Sequence, residues 1–397
     1  MSDKTAGVEI ARPSRGSIWN DRGARAIFYQ ALLVAAVVGA AYYLVSNTLD
    51  NLSEREIRTG FGFLDQEAGF FIGETVIPFD AADSYLRAFF VGLLNTLRVA
   101  AIGIVFASVI GVVVGIARLS RNWLIAKMAT VYVETVRNVP LLLQLFFWYS
   151  LITGALPAGQ GALSPLPGIF LNKSGLAYAV PRYDPLHPYL ITAFAIGCVG
   201  AWLYRRWARA CQEEAGEQRP IAWPVLALVL APPLAVFALG GAPLALDMPE
   251  WQGFRYAGGD EITPEFMALL FGLTIYTAGF IAEIVRSGLL AVDWGQTEAA
   301  LALGLRRGRV LRLVVLPQAL RVIIPPITSQ YLNITKNSSL AVAIGYPDLV
   351  SVTNTSLNQT GQAIECIAIL MAVYLTISLA ISTFMNWYNR LAALVER

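Results

Sequence analysis

The sequence predicts an all-α polytopic membrane protein with about eight transmembrane helices. Of its 397 residues, 56% are hydrophobic and only 14% are charged, whereas soluble domains carry about 25% charged residues. Several apolar runs reach the roughly 20 residues that a helix needs to cross a bilayer core. Arginine-rich segments alternate with acidic segments between these runs, as in chains that cross a membrane repeatedly.

The apolar runs define the predicted spans in chain order. They cover residues 27–46, 89–117, 128–155, 189–204, 221–243, 264–290, 318–345 and 363–385. The chain before the first run is too polar and too long for a typical signal peptide, so we expect that run to be a retained span. The run 318–345 contains Pro325–Pro326, which lack N–H donors, and we expect them to interrupt this helix.

Charge asymmetry between the loops predicts the orientation. The N-terminal tail, residues 118–127, 205–219 and 291–321, and the C-terminal tail carry the arginines. The loops between them are poor in Lys and Arg, and residues 47–87 are rich in Asp and Glu. Because positive loops stay inside, both termini and residues 291–321 are predicted on the cytoplasmic side.

The residue inventory argues against several kinds of function. A net charge of only +2 does not indicate a nucleic-acid partner. The chain has three cysteines without paired spacing and a single histidine, which argues against a Cys/His metal site. None of the four lysines follows a glycine, so the chain lacks the Gly-Lys-[Ser/Thr] of a phosphate-binding loop. No nucleophile–base arrangement is evident, which disfavours a membrane-embedded enzyme.

Residues 293–317 form the longest strongly polar and basic interruption in the C-terminal half. Asp293 with Gln296 predicts a helix N-cap with a capping box. Gly304 can take a positive φ at no steric cost, so we expect the short helix to end there. A second helical run then carries several arginines back to an apolar stretch. The pattern predicts a helix–turn–helix that projects from the cytoplasmic side of the membrane.

This segment resembles the EAA loop of ABC-importer permeases. The family pattern is E-A-A, three residues, Gly, nine residues, then I-x-L-P, and here only the Ile is replaced, by Val314. The resemblance implies a coupling helix that docks in a groove on a separate ATPase subunit. Its residues here are Glu298, Ala299, Ala300, Gly304, Leu316 and Pro317. An ordinary positive-inside loop with an amphipathic helix is the alternative interpretation.

Five stretches between residues 91 and 386 are similar, in the family's order, to the polar-amino-acid permeases of ABC importers. They are residues 92–100, 132–149, 276–288, 316–326 and 336–345. The chain departs from the common five-span core by an added N-terminal span and by an insertion. This enlarged layout resembles one permease subunit of the general L-amino-acid importers, the Aap/Bzt type.

The resemblance and the charge pattern together divide the chain into parts. They are a cytoplasmic tail (1–25), an extra N-terminal span with a periplasmic loop (26–87), the first part of the permease core (88–155), inserted loops with two spans (156–263), the second part of the core with the coupling segment 293–317 (264–386), and a second cytoplasmic tail (387–397). Within the insertion, the Pro- and Gly-rich residues 156–188 predict an irregular loop.

Polar side chains inside spans are candidates for the transport path, since burying a charge in a bilayer costs about a few kcal/mol. Two Glu-x-x-Arg pairs place opposite charges on one helix face, either near an inner gate or as structural ion pairs. Lys336 and its polar neighbours could hold a zwitterion, or Lys336 could extend to the outer surface. The candidates are Glu134, Arg137, Asn138, Glu283, Arg286, Lys336, Asn337, Ser338 and Ser339.

The sequence as a whole predicts the permease subunit of a binding-protein-dependent importer of L-amino acids, polar or broad in range, in a bacterial inner membrane. The implied partners are a second, related permease, two ATPase subunits that bind ATP and Mg²⁺, a periplasmic amino-acid-binding protein and the lipid membrane. No cofactor, metal or nucleic acid is expected on this chain. The alternative is an ion-coupled secondary amino-acid carrier, whose intramembrane charges would be the coupling sites.

Overall fold

The computed structural model of the chain describes residues 22–54, 59–215, 219–241, 245–253 and 255–392. Within these residues, seven helices are long and apolar enough to cross a membrane, and a bent helix pair makes eight when it counts as one span. The predicted helical membrane architecture is therefore confirmed. Residues 1–21 and 393–397 of the predicted terminal tails lie outside the described residues.

The helices follow the predicted spans in order, with three short additions. They are α1 Arg22–Glu54, α2 Tyr85–Ala117, α3 Trp123–Asn138, α4 Leu141–Ala155, α5 His187–Ala215, α6 Ala222–Leu239, α7 Pro264–Leu290, α8 Trp294–Ala302, α9 Arg307–Val310, α10 Leu316–Asn337, α11 Leu349–Thr360 and α12 Ala363–Ala392. The short helices α8 and α9 form the predicted helix–turn–helix. The third addition, α11, was not predicted.

Helices α2 and α7 pack side by side at the centre of the fold. A Cβ added to Gly111 would lie 2.6 Å from the Cβ of Ile281, and one added to Gly115 would lie 2.7 Å from the carbonyl oxygen of Ala282. Small residues therefore let the two backbones approach closely, which is the main source of helix association in lipid. Residue numbers increase together along the contact, so α2 and α7 run in the same direction.

The predicted span 128–155 is not one straight helix, because α3 and α4 meet at an angle of 105°. Pro140 restricts the residue before it to an extended backbone, and Val139 has φ −96° and ψ 127°. The break frees backbone carbonyls. Gln144 Nε2 satisfies two of them, donating to the carbonyl oxygens of Val136 and Val139 at 2.9 Å each.

The expected interruption of the seventh span at Pro325–Pro326 is wrong, since α10 continues through both prolines. The irregular turns lie at its two ends instead. Residues Leu311–Val315 form a π-helical turn between α9 and α10, and Ser338–Ile344 continue α10 as a 3₁₀ helix. Helical backbone therefore extends from Arg307 to Ile344.

The linker between α1 and α2 folds onto the core. Its short 3₁₀ helix Phe61–Asp65 buries Phe63, which is 3% exposed and packs edge-on against Tyr85, with ring centroids 5.7 Å apart. The backbone N–H of Gly60 donates to Glu365 Oε1 at 2.7 Å. The linker is thereby attached to the start of α2 and to α12.

The insertion contains an antiparallel sheet where an irregular loop was expected at 156–188. The strands are β1 Leu163–Leu166, β2 Ile169–Asn172, β3 Gly175–Tyr178, β4 Val180–Pro181, β5 Leu246–Asp247, β6 Glu250–Trp251, β7 Tyr256–Ala257 and β8 Asp260–Ile262. The main sheet has the order β1-β2-β3-β8, and two further pairs are β4-β5 and β6-β7. Strand β8 leads directly into α7, so the sheet lies at the N-terminal end of that core helix.

The two inserted spans, α5 and α6, pack against each other. A Cβ added to Gly197 of α5 would lie 2.4 Å from the carbonyl oxygen of Leu228 in α6. The 18-residue apolar window of α6 buries none of its residues in the described chain, and the same is true of α1. In a bilayer, these apolar surfaces are suited to contact with acyl chains.

Candidate functional site

The coupling segment begins with a side-chain cap on α8. Asp293 is the N-cap residue, and its Oδ1 accepts from the backbone N–H of Gly295 at 2.7 Å. Among the described side chains, no return bond comes from Gln296, so the predicted capping box is only half formed. Trp294 Nε1 donates to Glu298 Oε1 at 2.8 Å one turn later. These bonds fix the first turn of α8 and orient the Glu298 carboxylate.

Gly304 ends α8 as predicted, with φ +77°. The N–H of Gly304 donates to the carbonyl of Leu301 at 2.9 Å, and the N–H of Leu305 donates to that of Ala300 at 3.3 Å. This pair of bonds is the Schellman arrangement, which satisfies the last carbonyls of a helix through a left-handed residue. The turn between α8 and α9 is therefore set by backbone geometry at Gly304.

The surface of α8 is exposed and partly apolar. Glu298 and Ala299 are exposed, whereas Ala300 is buried. Trp294 and Leu303 are 69% and 82% exposed, and both lie outside the predicted bilayer. Exposed apolar surface of this kind is typical of a site for a partner protein.

A groove of about 790 Å³ lies between α8 and the α9–α10 helix. Its walls are mainly apolar, with Leu301 from α8 and Val310 from α9. Arg121, Asp293 and Arg307 contribute charge to the lining. The predicted motif residues Leu316 and Pro317 stand just beyond it, in the first turn of α10, directly after the π-helical turn.

An ion-pair cluster joins three helices beside the coupling segment. Arg118, at the end of α2, pairs with Glu283 of α7 and lies 3.7 Å from Glu134 of α3. Arg286 pairs with Glu283 at 2.6 Å, as the i,i+3 spacing predicted. The Arg118 side chain is only 10% exposed, and the nearby carboxylates compensate its buried charge. Arg118 was missed in the sequence, although it directly follows an apolar run.

The other predicted pair, Glu134 with Arg137, does not form among the described side chains. Arg137 instead lies over the ring of Phe280, with its Cζ atom 5.1 Å from the ring centroid, a cation–π contact. Glu134 instead lies 3.7 Å from Arg118 of α2. Asn138 donates to the backbone carbonyl of Glu134 at 2.7 Å, which fits a helix-end bond.

The polar residues after Thr335 divide between two faces. Ser338 is buried and donates to the carbonyl of Thr335 at 2.7 Å. Lys336 is exposed, and Asn337 and Ser339 are half-buried. The structure therefore does not gather these residues into one polar site.

A second polar cluster, which the sequence analysis missed, lies at the opposite end of the α2–α7 pair. Arg98 of α2 pairs with Glu74 of the linker at 2.6 Å. The Thr263 hydroxyl, at the N-cap of α7, donates to the other Glu74 carboxylate oxygen. Burial raises the pKa of the Glu74 carboxyl above its ordinary value, although Thr263 and Arg98 counteract the shift. An arginine inside an apolar run was the available signal for this cluster.

Asp348 lies near that end, between the 3₁₀ extension of α10 and α11. Its side chain is completely buried, and its Oδ1 accepts from the backbone N–H of Ser351 at 2.8 Å. Desolvation raises the pKa of the Asp348 carboxyl to about 7, against a smaller lowering by backbone hydrogen bonds. The neighbouring Tyr346 hydroxyl donates to the carbonyl of Asn95 at 3.3 Å.

Comparison with known proteins gives near full-length matches. A family model for the inner membrane component of binding-protein-dependent transport systems matches residues 219–393. The general L-amino acid transport system permease protein AapQ of Rhizobium johnstonii is 48% identical over 97% of this chain and 98% of its own. The putative amino-acid ABC transporter permease protein YhdX of Escherichia coli is 50% identical over 94% of this chain and 95% of its own.

A third relative has a narrower named substrate range. The glutamate/glutamine/aspartate/asparagine transport system permease protein BztB of Rhodobacter capsulatus is 39% identical over 94% of this chain and 95% of its own. Because all three matches cover at least 94% of both chains, the added N-terminal span and the insertion belong to the shared layout.

Proposed function

The chain belongs to the amino-acid permeases of binding-protein-dependent ABC importers, and on that premise we propose that its residues 293–317 are the docking site for a separate ATPase. As a permease it is the membrane-spanning subunit through which amino acids are translocated. The alternative of an ion-coupled secondary carrier is not supported by these relatives.

The observation that carries the docking proposal is the geometry of α8. The helix is capped at Asp293, ended by a left-handed Gly304 and exposed along Glu298 and Ala299. A helix held at both ends presents a fixed surface, which lowers the ordering cost of binding a partner. The groove beside Trp294 offers additional apolar area for the same partner.

The composition of the full importer follows from the same reasoning. No lysine of this chain follows a glycine, so it lacks a phosphate-binding loop, and ATP and Mg²⁺ are bound by separate ATPase subunits, of which the importer has two. A second, related permease completes the translocation path, and a periplasmic binding protein delivers the amino acid. The names of AapQ and BztB support L-amino acids, polar or broad in range, as the substrates.

The orientation places both termini and the coupling segment on the cytoplasmic side of a bacterial inner membrane. The arginine-rich loops support this arrangement through the positive-inside rule. The Arg118–Glu283 cluster then lies near the inner end of α2 and α7, where it can act as an inner-gate contact. Lys336 and Asn337 stay candidates for the path, and the exposed position of Lys336 supports that role.

ATP-driven transport sets a thermodynamic requirement on the contacts of the coupling segment. ATP binding can drive the permease between outward- and inward-open states only if the ATPase contacts α8 differently in the two states. Glu298, exposed and oriented by Trp294, is a suitable contact for such a difference.

The test is labelled amino-acid uptake into proteoliposomes that contain the complete complex, binding protein and ATP. Glu298→Lys reverses the exposed charge, and Gly304→Pro removes both the positive φ and the donated N–H. Both variants should keep membrane insertion and lose ATP-driven uptake, while Gly308→Ala, in the neighbouring helix α9, should transport normally. Normal uptake by both test variants would contradict the docking role.

A further inference from the structure

The linker between α1 and α2 inserts one carboxylate into the core. Glu74 is only 7% exposed, although it belongs to a linker with little regular structure. Its two carboxylate oxygens are held by different elements, one by Arg98 of α2 and one by Thr263 at the start of α7. The backbone carbonyl of Glu74 accepts from Asn95 Nδ2 at 2.8 Å.

Arg98 is oriented independently of Glu74. Its Cζ atom lies 4.5 Å from the centroid of the Phe266 ring, and cation–π contact of this kind fixes the plane of a guanidinium. Thr263 is also fixed in place, because its hydroxyl oxygen caps α7 by accepting from the N–H of Phe266 at 3.2 Å. Arg98 and Thr263 are each held by one of the two core helices, and together they form a pair of donors that can bind a carboxylate.

A cavity of about 390 Å³ adjoins these groups and is lined by Glu74 and Thr263 themselves. Its volume falls within the roughly 300–1,000 Å³ of small-molecule pockets. The lining adds hydroxyls from Ser351 and Thr355 and the carboxylate of Glu265. Arg98 itself does not line the cavity, but these hydroxyls and the Glu265 carboxylate lie beside Glu74, which Arg98 binds, and they provide partners for the ammonium and polar groups of an amino acid.

The Glu74 carboxylate can leave this position without disturbing regular secondary structure, although it gives up its bonds to Arg98 and Thr263. No helix or strand is assigned between Gln66 and Ser84, so moving Glu74 would not unwind an element. Arg98, by contrast, is fixed in the middle of α2, and leaving it unpaired while partly buried is unfavourable. Another carboxylate is therefore the ligand that would best compensate the charge of Arg98 in place of Glu74.

We propose that Arg98 and Thr263 form a carboxylate-binding site of the translocation path, which the Glu74 side chain occupies in this structure and an amino-acid carboxylate occupies during transport. The linker then acts as an internal competitor that closes the site between transport cycles. This inference rests on the proposed importer function and adds the residues that hold the substrate's carboxylate.

The test measures binding of labelled L-glutamine to the purified complex without the binding protein. Glu74→Ala removes the competitor and should bind more tightly than the parent, on the order of tenfold for one charge-assisted contact. Glu74→Ala with Arg98→Gln should lose that gain. L-glutaminamide, which lacks the carboxylate, should bind equally weakly to all variants.

Asp83→Asn is the matched control, because Asp83 is a carboxylate of the same linker that pairs with Arg87 on the surface, at 3.3 Å. It should bind L-glutamine like the parent. Should Glu74→Ala fail to fold, Glu74→Gln keeps the side-chain volume and serves as the test variant. A Glu74 variant that melts at lower temperature but binds no more tightly would overturn the proposal and leave a purely structural ion pair.

The test of the carboxylate site can be distinguished from the test of the importer function. ATP-driven uptake by the parent complex with its binding protein tests the function. If uptake is normal and the Glu74 variants gain no affinity, only the carboxylate site is rejected. If the parent complex shows no ATP-driven uptake, the importer proposal itself fails.

Discussion

Replacing Gly304 with alanine should strain the end of α8 without creating any steric clash. Gly304 has φ +77°, and nothing lies within 4 Å of a Cβ added there, so the backbone conformation alone carries the penalty. For an ordinary residue the left-handed region costs about 1–2 kcal/mol. If docking requires this turn and the free segment can relax, Gly304→Ala should weaken ATPase binding by up to roughly 5- to 30-fold.

Gly308 provides the matched control, since an added Cβ there also meets nothing within 4 Å and its φ is not positive. It lies within α9, where alanine is favoured over glycine by about 0.8–1.0 kcal/mol. Gly308→Ala should therefore bind the ATPase as well as the parent, or slightly better.

The assay is titration of the purified ATPase onto the immobilised permease in detergent, with the dissociation constant measured for all three proteins. Gly304→Ala alone should show weaker binding. Equal dissociation constants for Gly304→Ala and the parent would refute the requirement for a left-handed turn. Equal losses in both variants would refute the role of the dihedral angle.

Three further outcomes are expected. Gly288→Ala should lower the thermal unfolding temperature, because the new Cβ would lie 2.2 Å from Ile323 Cγ1 and overpacking costs about 1–3 kcal/mol. Arg118→Gln should destabilise the fold by about 1.5–3 kcal/mol, since it removes a charge-assisted hydrogen bond to Glu283, which keeps its pair with Arg286. Asp348 has its pKa raised to about 7, so its stabilising contribution is complete below its ordinary pKa and is lost as the pH rises through 7. The unfolding temperature should therefore fall between about pH 4 and pH 7 and level off above pH 7.

Each outcome has its own control. Adding Ile323→Ala to the Gly288 variant should restore part of the lost stability, and no recovery would contradict the clash. Arg87→Gln, at an exposed pair with Asp83, should change stability by less than about 1 kcal/mol. A larger effect there than at Arg118 would argue against the cluster. Asp348→Asn cannot titrate, so a pH profile identical to the parent's would exclude Asp348 as the source.

The sequence predicted the spans and the short helix α8 because each depends on local chemistry. Apolar length marks a span, and the Asp293 cap and the positive φ of Gly304 are properties of single residues. The bend at Pro140 was missed because a proline at a helix start and one inside a helix look alike in sequence. The opposite error was made at Pro325–Pro326, where a break was predicted but the helix continues through both prolines.

The ion pairs were only half predictable for a different reason. Spacing along one helix correctly paired Glu283 with Arg286 but wrongly paired Glu134 with Arg137. Arg118 and Glu134 come together because α2 packs against α3. A contact between two helices cannot be predicted from the periodicity of either one. The sheet in the insertion also depends on distant pairing, since β8 joins β3 across the two inserted spans.

The uninterrupted helical backbone from Arg307 to Ile344 has a mechanical consequence. At 1.5 Å per residue, its 38 residues make a lever about 57 Å long. A stiff helix of this length converts a small displacement at its Arg307 end into a tilt at its other end, beside Asp348 and the linker. The π-helical turn at Leu311–Val315 is the place where this helix can bend and so reduce the tilt that is transmitted.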